Sequence, residues 1–195
     1  MRTPPVYLVV GWMRSGTSMM MHALKEGGMT VTSSPEREAF GQASSDAHYQ
    51  VNPGGMFELP IAALEAPDFP GTYVGRVVKV VIPWLHVLKS VEGLRYKILF
   101  MHRDSEEIRQ DYEAAFDRRV TCQTIDAQVR DGLRGLQARA DMDLLVVPYR
   151  SIVFHPAFWM QQIRWAGWPI DPTKAATVVQ ESLYTFRREA LTVGL

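Results

Sequence analysis

Residues 9–24 read VVGWMRSGTSMMMHAL, an apolar run that breaks at a glycine and resumes after a polar turn. With the residues before it, VYLVVG (6–11) is short, unbroken and rich in β-branched side chains, the pattern of a strand buried on both faces. Residues 17–26 read as a helix that stops at Gly27 and Gly28. Between them, Gly11 and Gly16 stand at the spacing of the phosphate-cradling pattern G-x-x-x-x-G-K-[ST], but Thr17 occupies the lysine position. The first N–H groups of such a helix have no partner within it and point at whatever lies at its mouth. Thr17 and Ser18 add hydroxyls, and Arg14 adds a planar, permanently charged fork. The loop is suited to a phosphate or sulfate group. Without the lysine or a clear acidic metal ligand, it is poorly suited to Mg·ATP chemistry.

Outward from the loop, strand and helix patterns alternate. Strands are expected over 76–82 (RVVKVVI, stopped by Pro83), 96–102 (YKILFMH) and 143–148 (DLLVVP). Helices are expected from Asp104 to about Arg118, opened by an Asp104/Glu107 capping box, and over 125–139, 156–166 and 172–180. Residues 33–55 are polar and turn-rich, a loop long enough to expect a function of it. The alternation implies one domain over 1–195, of α/β class, with three α/β/α layers around a mostly parallel sheet. In such sheets ligands bind beyond the carboxyl ends of the strands, so the loops after Gly11, Ile82 and His102 should gather on one edge.

Composition narrows the classes. Hydrophobic content of 47% with 22% charged residues excludes a disordered chain, and 195 residues suffice for one sizeable core. Lys+Arg and Asp+Glu are both 21, so bulk charge favours neither nucleic acid nor a membrane surface, and any anion site must be local. Cys122 is the sole cysteine, which rules out an intramolecular disulfide and a cysteine metal cluster and fits a reducing compartment. The apolar run at 6–13 is too short for a membrane span and lacks a cleavage pattern, so a cytoplasmic protein is expected.

GWMRSGTSMM resembles the 5′-phosphosulfate loop of the sulfotransferases that use 3′-phosphoadenosine 5′-phosphosulfate (PAPS), in which a basic residue precedes Ser-Gly-Thr-[Ser/Thr]. Arg14, Ser15, Gly16, Thr17 and Ser18 match position by position. The resemblance implies a P-loop NTPase-like fold and a donor with no γ-phosphate, so the missing lysine has no task and no metal is expected. KILFMHRDSEEIRQDY resembles the family's second signature, a strand ending in Arg-Asp-Pro with a serine eight positions after the arginine; arginine and serine hold the donor's 3′-phosphate. Arg103 and Asp104 match, Ser105 replaces the proline, and Asp111 stands at the serine position. A carboxylate about 4 Å from a phosphate is repelled by roughly 4 kcal/mol per unit of charge product at an effective dielectric of about 20. Either Asp111 turns away, or another basic residue offsets it, or the 3′-phosphate site has changed.

VKVVIP resembles the family's Lys-Thr-His-Leu-Pro strand; Lys79 and Pro83 fit, but Val81 replaces the histidine base. NPGGMFE and the tail ESLYTFRRE resemble segments of bacterial sulfotransferase-like proteins. An ammonium inside an apolar strand is costly to bury alone, so Lys79 should reach an anion or a carboxylate. Arg187 and Arg188 could close over the 3′-phosphate. The replacement base is expected to be Glu58, with His48, His86 and Glu36 as other candidates. Met19–Met21 read as core, Trp159, Trp165 and Trp168 as core or as the wall of an acceptor pocket shaped by residues 33–69, and His22 as packed against the core.

The expected function is sulfonate transfer from PAPS, leaving adenosine 3′,5′-bisphosphate, to a hydroxyl or amine of a small-molecule or carbohydrate acceptor. Arg14, Lys79 and Glu58 would carry the chemistry, and Arg14–Ser18, Arg103, Arg187 and Arg188 would bind the donor; no nucleic-acid partner is expected. Two alternatives stand beside it: a non-catalytic anion-binding relic of the family, favoured by Asp111 and Val81, and a P-loop kinase.

Overall fold

A computed structural model describes residues 3–36, 38–39 and 55–184. Strand β1 (Val6–Gly11) is buried at every position. It is followed by helix α1 (Thr17–Glu26), the short helix α2 (Ile61–Leu64), β2 (Val77–Val81), a 3-10 segment (Ile82–Val87), β3 (Tyr96–His102), α3 (Ser105–Phe116), α4 (Cys122–Gln137), β4 (Met142–Pro148), α5 (Tyr149–Phe154), α6 (Pro156–Trp165) and α7 (Pro172–Ala176). The sheet runs β2-β1-β3-β4 and every pairing is parallel.

The two-residue period of β1 divides the interior. Tyr7 and Val9 enter a core completed by Met20, Met21 and Leu24 of α1, Ile152 of α5 and Met160 and Ile163 of α6. Val6, Leu8 and Val10 enter a second core with Ile108 of α3 and Ile125 and Leu136 of α4. Helices therefore cover both faces, which is why β1 is apolar without alternation. The protein is an α/β fold built on an all-parallel sheet, as the alternating pattern implied.

Local chemistry sets the helix starts. The Asp104 carboxylate accepts the Glu106 and Glu107 N–H groups at the start of α3, Thr121 accepts Thr124 N–H at α4, and Asp171 accepts Thr173 and Lys174 N–H at α7. Several expected boundaries move. β2 closes at Val81, one residue before the proposed end. α4 begins at Cys122 because Thr121 is its cap. β4 gains Met142. α7 ends at Ala176, four residues short of the expected 180. Helix α5 was not expected. Trp165, expected in the core or a pocket wall, is 71% exposed, whereas Trp168 is 1% exposed. His22 is half-buried beside Glu26 at 3.8 Å, so it reaches the surface edge of α1. Most of the loop expected over 33–55 lies outside the described residues.

The register aligns the site. Gly11 pairs with Val81 on one side and Met101 on the other, so β1, β2 and β3 end level. The chain passes from β1 to β2 on one side, then crosses to β3 on the other. The crevice beyond β1 is thus where the direction of the sheet reverses, the usual ligand position in such folds.

Candidate functional site

The loop between β1 and α1 is fixed by close approaches. Ser15 N–H donates to the Trp12 carbonyl at 3.1 Å. Arg14 and Gly16 both have positive φ, 68° and 93°. A Cβ on Gly11 would lie 2.3 Å from Ser15 Oγ, and one on Gly16 would lie 2.3 Å and 2.5 Å from the Tyr149 ring. Both glycines are therefore required by what lies against them, not by turn propensity alone. Gly16 forms the N-cap of α1 without a side-chain hydrogen bond, and the first turn contains no acidic residue. Ser15 Oγ is buried and finds no hydrogen-bond partner among the described residues. An uncapped helix N-terminus beside an orphaned buried hydroxyl fits a tetrahedral oxyanion acceptor.

Lys79 reaches the loop from β2. Its ammonium, 5% exposed, donates to Ser18 Oγ at 3.2 Å, to the Met56 carbonyl, and to Glu58 Oε1 at 3.3 Å. The expectation that it finds a carboxylate is met by Glu58, whose side chain is 27% exposed. Glu58 does not open a helix, since α2 begins at Ile61 after Pro60. Residues 55–58 are held from the other side by Glu38, whose carboxylate accepts Met56 N–H at 2.9 Å, Phe57 N–H at 2.6 Å and Ser33 Oγ–H at 2.7 Å. Burial alone would raise the Glu38 pKa, but those three donors and the charge of Lys79 together hold it below the ordinary value. Phe57, 3% exposed, sits at φ 53°, a conformation rare for an aromatic residue.

On the opposite side of the loop, Asp111 bridges two guanidiniums. Arg14 Nε donates to its Oδ1 at 2.7 Å, and Arg103 Nη1 donates to its Oδ2 at 2.7 Å. Arg103 Nη1 also donates to the Arg14 carbonyl at 2.8 Å, and Arg103 Nε donates to Glu107 Oε2 at 3.1 Å. Glu107 accepts the Tyr184 hydroxyl at 2.7 Å. The Arg103 guanidinium lies 4.8 Å from the Tyr149 ring centre and 5.4 Å from that of Tyr184. Burial would lower the Arg103 pKa, but Asp111, the Tyr149 oxygen and Glu107 raise it above the ordinary value, so it stays charged. Of the three outcomes open for Asp111, the first is excluded: it does not turn away but pairs with both Arg14 and Arg103.

No protein-family model matches the chain, and no curated protein sequence matches it. Solved structures do. The sulfotransferase domain of the olefin synthase from Synechococcus PCC 7002 is 14% identical, with 100% of this chain and 92% of that one covered and a TM-score of 0.48. An unliganded sugar kinase from Janibacter sp. is 18% identical, with 88% of this chain and 98% of that one covered and a TM-score of 0.40.

The fold thus brings most of the singled-out residues to one edge in two linked groups: Arg14, Asp111 and Arg103 on one side of the loop, Ser18, Lys79 and Glu58 on the other. Other candidates sit apart. His86 is exposed, with Nδ1 3.2 Å from the Pro83 carbonyl, and Glu36 is exposed beside Ser34. His48, Arg187 and Arg188 lie outside the described residues. Glu38, Glu107, Tyr149 and Tyr184 were not anticipated as site residues. The 103, 107, 111 spacing was the available signal, because positions four apart share a helix face. Among the described residues no helix is long and apolar enough to cross a membrane.

Proposed function

We propose that this protein transfers a sulfonate group from a PAPS-type donor to a hydroxyl or amine acceptor. The observation that carries the reading is the loop itself: an uncapped helix N-terminus beside the buried Ser15 hydroxyl, which has no partner among the described residues, flanked by Arg14 and Lys79. In this reading the amides of Gly16, Thr17 and Ser18, the Ser15 hydroxyl and Arg14 hold the 5′-phosphosulfate. Arg103, with Arg187 and Arg188, faces the 3′-phosphate. Transfer is an in-line displacement: the acceptor oxygen or nitrogen bonds to sulfur as the sulfur–oxygen bond to the phosphate breaks, and the bisphosphate leaves. Lys79 and Arg14 offset the charge that develops on the bridging oxygen. Glu58 receives the acceptor's proton; its partial exposure beside Lys79 gives an acceptor group access to it.

Asp111 favours a second reading, a non-catalytic anion-binding module, because a carboxylate already occupies the space between Arg14 and Arg103. A thermal-shift panel of adenosine 3′,5′-bisphosphate, PAPS, AMP and Mg·ATP, followed by assay of PAPS turnover against a panel of alcohols and amines, separates the readings. A ligand at ~100 times its dissociation constant adds about 2.7 kcal/mol. Selective stabilisation by the bisphosphate with turnover supports transfer, and stabilisation without turnover supports the module. A preference for Mg·ATP overturns both.

A further inference from the structure

We propose that Asp111 is a built-in competitor for the loop's ligand: its carboxylate holds Arg14 against an incoming tetrahedral oxyanion, so residue 111 sets how tightly the loop binds one. The inference rests on the reading that the loop takes an oxyanion. It goes further in assigning a role to a residue that the transfer reading leaves without one.

The two arms of the bridge are buried unequally. The Arg103 side chain is 3% exposed and is held by Glu107 and the Arg14 carbonyl as well as by Asp111. The rings of Tyr149 and Tyr184 add two cation–π contacts. Arg14 is 10% exposed at its side chain, belongs to the loop, and stands on a left-handed backbone next to Gly16. Arg14, the more accessible arm and the one the loop itself carries, is therefore the arm a ligand meets first, while Arg103 lies deeper against Asp111.

The carboxylate opposes the ligand in two ways. It engages Arg14 Nε at 2.7 Å, in the short range of a charge-assisted hydrogen bond that a ligand must replace. It also places a negative charge next to the site, at a distance where like charges repel appreciably in a poorly solvated interior. Among the described residues the site's cations, Arg14, Arg103 and Lys79, face Asp111, Glu107 and Glu58. An oxyanion thus meets cations already engaged by carboxylates, and removing the Asp111 charge takes away a full unit of that opposition.

The test compares inorganic pyrophosphate binding to the full chain and to Asp111→Asn and Asp111→Ser by calorimetry. Neutralising the carboxylate should tighten binding at least tenfold, equivalent to about 1.4 kcal/mol. Equal or weaker binding by variants that remain folded overturns the proposal, as does absence of pyrophosphate binding to all three proteins. Because these variants remove a partner of buried Arg103, a second measurement uses the unaltered protein: arginine Nε–Hε NMR during a pyrophosphate titration. The Arg14 signal should move while that of Arg103 stays; an unmoved Arg14 signal at saturation overturns the proposal. Tighter pyrophosphate binding by the variants, without a preference for bisphosphate over AMP in the unaltered protein, leaves this inference standing and removes the PAPS reading. The reverse pattern does the opposite.

Discussion

The Glu38 carboxylate gathers three donors, two of them consecutive backbone N–H groups, and its pKa is lowered below the ordinary 4.5. On acidification the unfolded chain takes up this proton first, so the contribution of Glu38 is complete above 4.5 and fades as the pH falls through the lower folded value. Glu38→Gln should cost about 1 kcal/mol at neutral pH. In urea melts the gap from the parent protein should close in acid; a pH-independent gap would contradict the assignment. Arg103 is a stronger case. Its removal leaves Asp111 and Glu107, 4% and 2% exposed, short of a cation. Arg103→Ala should cost about 3–5 kcal/mol in the same melts, and Arg103→Lys less, since the charge stays but the fork is lost. Of these residues the sequence marked Arg103 by its motif and Asp111 by its departure from that motif. Glu107 was read as the far half of a capping box. Its pairing with Tyr184 joins positions 77 apart, which local spacing does not reveal.

At the scale of elements, β3 was legible to the residue because ILFM (98–101) is an apolar run set between polar and charged residues, with Arg95 before the strand and Arg103 after it. Helix α5 was not, since YRSIVF has six residues, follows a proline and carries β-branched side chains that suit a strand as well. That helix matters to the loop, because its first residue, Tyr149, lies where a Gly16 side chain would go. Gly16→Ala should destabilise the fold by roughly 1–3 kcal/mol through both the clash and the positive φ. A melting temperature unchanged from the parent would show that the loop does not press on the ring. The tryptophans near α6 separate in the same way. Trp168→Ala should cost about 3–5 kcal/mol and Trp165→Ala less than about 0.5 kcal/mol, measured by chemical denaturation. The sequence shows both as large apolar residues near a helix end; only the direction each faces divides them.

Across the whole molecule, the charged residues on one side of the loop form one connected set with the hydroxyl of Tyr184: Arg14, Asp111, Arg103 and Glu107. Residues sharing such a network give non-additive effects. Tyr184→Phe and Asp111→Asn, made singly and together, should show a coupling of about 0.5–3 kcal/mol in stability. Additive values within about 0.3 kcal/mol would show that the two ends act independently.

The order of the chain adds a consequence for biosynthesis. β1 leaves the ribosome before every strand that flanks it, yet it lies inside the sheet between β2 and β3. Arg14 emerges 97 positions ahead of Asp111. A nascent polypeptide halted before β3 would carry a hydrophobic ribbon with one edge unpaired and a guanidinium awaiting its carboxylate. Such an intermediate is a natural client for a chaperone at the tunnel exit, and the loop takes its final shape only after Asp111 and Tyr149 have emerged.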